Sequence, residues 1–88
     1  MKNLERLFKA LGNRRRMAIV QYLHAQREAN VGEIARAIGL SFRATSRHLH
    51  VLRNANLVEK TQRDLFMIYR IPDLLSDEAQ HVLKLLIG

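Results

Sequence analysis

A chain of 88 residues has room for one compact core, and the absence of cysteine excludes both disulfide staples and thiolate metal sites. Fifteen Lys and Arg against eight Asp and Glu give a formal net charge of +7, which favours a polyanionic partner. No apolar run approaches the roughly 20 residues of a transmembrane helix and no secretory h-region follows Lys2, so a soluble, cytoplasmic protein is expected.

Leu4, Leu7, Phe8 and Leu11 recur at i, i+3, i+4 and i+7, predicting a first helix that Gly12 stops. Asn13 can cap a second helix, whose Met17, Ile19, Val20 and Leu23 form an apolar face. Its first turn holds Arg14, Arg15 and Arg16, which oppose the helix dipole and call for an external anion or another compensating group. Asn30 and Glu33 have capping-box spacing and open a third helix with Ile34, Ala35 and Ile38 inward. Gly39 can take the positive φ of a sharp turn, Leu40 can plug the space beneath it, and Ser41 can cap a fourth helix. Two helices joined so tightly predict a helix-turn-helix.

Leu49 and Leu52 face inward on the fourth helix, and Asn56 suits a left-handed cap after it. Between Leu57 and Ile71 the period changes to that of strands, predicting a two-stranded hairpin with its turn around Gln62, Arg63 and Asp64. Pro72 closes the second strand, and Ser76 caps a last helix with the stripe Leu75, Ala79, Val82, Leu83 and Leu86. The expected architecture is mainly α with a small β-hairpin: a winged helix-turn-helix of five helices and a two-stranded wing, one domain over 1–88.

Arginine dominates the cations, and its planar fork suits phosphates and guanine edges better than an ammonium does. Polar chemistry gathers on the fourth helix, where Ser41, Phe42, Arg43, Thr45, Ser46, Arg47 and His50 are the candidate DNA contacts. Arg43 or Arg47 can bind guanine O6 and N7 together, Ser46 a phosphate or base, and Phe42 a thymine methyl. Arg14, Lys60, Gln62 and Arg63 are candidate backbone and wing contacts, although Glu59 and Asp64 dilute the wing's charge. His48, beside inward Leu49, reads as a packing residue. With no Cys nucleophile, Gly-rich phosphate loop or carboxylate cluster, the chain is not expected to be an enzyme or to need a cofactor.

These residues also resemble a known family, the arsenical-resistance repressors (ArsR/SmtB). Leu7-Phe8-Lys9-Ala10-Leu11-Gly12-Asn13 with Arg16-Met17 is similar to its opening signature. Leu40-Ser41, Ser46-Arg47-His48-Leu49 and the run from Val51 to Val58 are similar to its helix-turn-helix, and Tyr69-Arg70-Ile71 to the end of its wing. The resemblance implies a homodimeric repressor on an inverted-repeat operator of double-stranded DNA, released when an effector binds. It also implies a dimer interface built by segments 3–12 and 73–87, through Leu4, Leu7, Phe8, Leu11, Val82, Leu83 and Leu86. Family members with a thiophilic-metal site have Cys-x-Cys where this chain has Asn30 and Gly32, and redox members use a cysteine pair. Others bind metal through acid and His pairs near the carboxy terminus, where Asp77 and His81 supply one pair only. Metal is therefore not expected, and the effector is open. His24 with Glu28 is a further isolated pair. A rival reading is a winged-helix module for protein or RNA that does not read DNA sequence.

Overall fold

Four side-chain caps set helix starts in the computed structural model, which describes residues 1–88. The elements are α1 (Lys2–Leu11), α2 (Arg14–Gln26), β1 (Ala29–Asn30), α3 (Val31–Ile38), α4 (Phe42–Asn54), β2 (Glu59–Arg63), β3 (Phe66–Arg70) and α5 (Asp77–Ile87). Asn13 Oδ1 accepts from the Arg15 and Arg16 amides, at 2.9 and 3.1 Å, and so opens α2. At α3 the capping box is complete, with the Asn30 and Glu33 side chains each accepting the other's amide at 2.9 Å. Ser41 and Ser76 perform the same service for α4 and α5, accepting from the Ala44 and Ala79 amides.

The turn between α3 and α4 depends on Gly39, which adopts φ +70° and so reverses the chain within three residues, 39–41, of the end of α3. At the far end of α4 Asn56 is left-handed at φ 58°. The Leu57 amide there reaches the Leu52 carbonyl at 3.0 Å and the Asn56 amide reaches Arg53 at 2.9 Å, a Schellman closure. α4 is thereby delimited at both ends by backbone conformations that its neighbours in sequence supply.

The sheet differs from the expected hairpin by one strand. Its order is β1-β3-β2, all antiparallel, with Ala29 opposite Tyr69 and Asn30 opposite Ile68. β1 is two residues long and owes its strand geometry to pairing with β3. The wing turn also lies further on than expected: Gln62 and Arg63 belong to β2, opposite Met67 and Phe66, and the reversal is Asp64-Leu65. Asp64 accepts φ 55° there, a role its short polar side chain tolerates.

One core joins every helix. Leu7, Ile19, Leu23, Ile34, Leu49, Leu52 and Leu57 are its fully enclosed large side chains, closed on one side by Tyr69 and on another by Leu83. No helix is long and apolar enough to cross a membrane.

Candidate nucleic-acid interface

Because Leu49 and Leu52 are fixed in the core, the helical period of α4 decides what points away from it. Phe42, Arg43, Arg47 and His50 are exposed, Ser46 is half-buried, and Asn54 extends the stripe by one turn. Asn54 was not among the residues expected from sequence, although it stands at i+4 from His50; its Nδ2 lies 3.2 Å from His50 Nε2. Ser41 is exposed, with its hydroxyl oxygen engaged by the Ala44 amide at 3.0 Å. The face therefore presents two guanidiniums, an imidazole, an amide and an aromatic ring to whatever lies beyond it.

Thr45 is a correction. It was expected on the outward face, but it is wholly buried, and its Oγ1 donates to the Ser41 carbonyl at 2.8 Å. Its position makes this intelligible, since Thr45, Leu49 and Leu52 fall at i, i+4 and i+7 and share one stripe.

Two of the three arginines at the start of α2 are compensated within the protein. Arg15 Nη1 donates to the Ile38 carbonyl at 3.4 Å, at the end of α3. Arg16 donates through Nε to the Ala10 carbonyl and through Nη2 to Lys9 O, at the end of α1. The electronegative ends of two helices thus offset the crowded positive charge. Arg14 stays exposed. Arg16 Nη1 also lies 3.2 Å from His48 Nδ1. A guanidinium can only donate, so His48 Nδ1 accepts and the imidazole proton sits on Nε2. Burial, then the positive charges of Arg16 and Arg15, hold the His48 pKa below its ordinary value. His48 thus joins α4 to α2 and does not belong to the outward stripe.

On the wing, strand alternation separates Lys60 and Gln62 from Glu59, Thr61 and Arg63. Lys60 and Gln62 are exposed. Arg63, expected as a free contact, instead donates from both terminal nitrogens to the Glu28 carboxylate just before β1. That hydrogen-bonded pair holds the Glu28 pKa down and raises that of Arg63. The tip itself is apolar, with Leu65 95% exposed and Phe66 56%.

The terminal helices divide their apolar residues between two tasks. Leu7, Leu11 and Leu83, expected at a dimer interface, are buried inside the protomer. What remains open is Phe8, 55% exposed, with half-buried Leu4, Val82 and Leu86, and Leu85, which sequence reasoning omitted and which is 86% exposed. His81 Nδ1 donates to the main-chain oxygen of Asp77 at 2.7 Å, and with His24 it lines an open cleft of about 860 Å³ between α2 and α5.

A second helix with an exposed polar face, set across a glycine turn from the first and followed by a β-hairpin, defines a winged helix-turn-helix domain. A family model described as a helix-turn-helix domain matches residues 11–61. Among solved structures, the chain is similar to the homodimeric winged helix-turn-helix DNA-binding domain of Mb0332 from Mycobacterium bovis, described as a possible ArsR-family transcriptional regulator. The two are 32% identical over 96% of this chain and 74% of that one, with a TM-score of 0.80. HlyU from Vibrio cholerae is 32% identical, with 97% and 88% of the chains covered and a TM-score of 0.82. The transcriptional repressor BigR from Xylella fastidiosa is also 32% identical, over 90% and 75% of the chains, at a TM-score of 0.75. No curated protein sequence matches the chain significantly. The chain belongs to the ArsR family of winged helix-turn-helix transcriptional regulators.

Proposed function

We propose that this regulator works as a homodimeric repressor in the cytoplasm, laying two copies of α4 into successive major grooves of an inverted-repeat operator. The observation that carries the reading is the exposed stripe Phe42, Arg43, Arg47 and His50 on the second helix of the helix-turn-helix. Arg43, nearest the amino end of α4, is assigned as a base reader, and Arg47 and Ser46 as further base or phosphate contacts. Arg14, Lys60 and Gln62 add phosphate and backbone contacts, with Ser41 serving as the cap that orients the helix. The partner surface is Leu4 and Phe8 of α1 with Val82, Leu85 and Leu86 of α5, the apolar residues of the terminal helices that the core leaves exposed or half-buried; the similar Mb0332 domain is homodimeric. Bound polymerase would be excluded by occupancy of the site, and no catalytic step is involved.

The test is Arg43→Ala. Loss of a bidentate base contact should cost about 1 to 3 kcal/mol on the operator and little on random duplex. An equal loss on both would remove Arg43 from the reading role. The exposed Leu65 and Phe66 favour a second reading, in which the wing tip docks on another protein; failure to bind any duplex at low salt would favour it.

A further inference from the structure

α1 carries a cationic edge that its apolar stripe does not explain. Lys2, Arg6 and Lys9 recur at i, i+4 and i+7, and all three are exposed. At 3.6 residues per turn this edge lies well around the helix from Leu4 and Phe8, so a partner covering the apolar face leaves it open. Together with Arg16 it forms one wall of a groove of about 570 Å³ whose other wall is the last turn of α4, Val51, Asn54 and Ala55. Glu5 is the only acid there, and it is paired with Lys9 at 3.5 Å. No carboxylate pairs with Lys2 or Arg6.

We infer that Lys2 and Arg6 form a second phosphate-binding strip, which clamps the sugar-phosphate backbone of the same duplex that α4 reads. The path of the α4 stripe selects this partner. The exposed stripe of α4 runs through His50 and Asn54 straight into the groove wall, so nucleic acid lying on that stripe passes the mouth of the groove. Glu5 partly neutralises Lys9.

The inference rests on the DNA-binding reading, and one experiment separates their failures: binding of an inverted-repeat duplex and of a random duplex, followed by fluorescence anisotropy across a salt series. The proteins are wild type, Lys2→Gln with Arg6→Gln, Lys2→Arg with Arg6→Lys, and Glu5→Gln. Each lost phosphate contact lowers the slope of log affinity against log salt by about 0.9, or about eightfold in affinity at 0.1 M relative to 1 M salt. The glutamine pair should lose that amount per contact on both duplexes alike, the charge-conserving pair should keep the wild-type slope, and Glu5→Gln should steepen it by freeing Lys9. Wild-type binding with an unchanged slope in the glutamine pair overturns the strip alone. Wild type that binds neither duplex overturns the DNA-binding reading and the strip with it.

Discussion

His48 shows how one side chain can belong to the recognition helix and yet serve its attachment. Its acceptor nitrogen takes a hydrogen bond from Arg16, which in turn is bound to the carbonyl end of α1, so three helices meet at the Arg16 guanidinium. A base with a depressed folded pKa binds fewer protons folded than unfolded, so stability is full above the ordinary imidazole range, about 6.5, and declines as pH falls through it. Wild type should therefore lose more thermal stability between pH 7 and pH 5 than His48→Gln, which keeps an acceptor and cannot ionise. Parallel melting curves for the two across that range would contradict this role. Thr45 carries a related lesson: polarity suggested a DNA contact, while its spacing from Leu49 already placed it on the core side. Composition misleads where periodicity decides.

Elements were legible wherever the governing signal is local. Asn13, the Asn30 and Glu33 box, Ser41, Gly39, Asn56 and Ser76 each act within a few residues of themselves, and each stands where the sequence predicts. β1 was not legible, because two residues become a strand only through a partner forty residues away. Separation in sequence likewise hid the fate of Arg63, whose partner Glu28 is 35 residues off. That ion pair links the wing to the body beside β1 and neutralises one of the wing's cations. Both groups are solvent-exposed, so Glu28→Ala should leave the melting temperature nearly unchanged. It should also raise affinity for every duplex alike and steepen the salt dependence, by releasing Arg63. Unchanged DNA affinity in that variant would place the wing's outer strand away from the backbone.

For the whole molecule, size sets the terms. A domain this small buries only about 60 to 65% of its unfolded surface, and a second subunit is one of the few remaining ways to cover apolar area. The sequence assigned an interface to the terminal helices but could not divide their leucines, because two stripes on one short helix overlap until packing separates them. Leu7, Leu11 and Leu83 close the protomer, and Phe8 and Leu85 are left outside. Phe8→Glu should convert the dimer to monomer in sedimentation velocity while the circular dichroism spectrum stays helical. Its operator affinity should fall steeply, since each half-site would then be bound alone. A dimer that persists would move the interface elsewhere.

A two-fold assembly that presents two copies of the α4 face to one duplex would draw on residue, element and whole molecule together. Selection from a pool of random duplex DNA by the purified protein, followed by sequencing of the bound fraction, tests it most directly. The expected result is an inverted repeat whose half-sites are centred about 34 Å apart, one helical turn, with guanine recurring where Arg43 would read. A bound pool with no recurring sequence would contradict it.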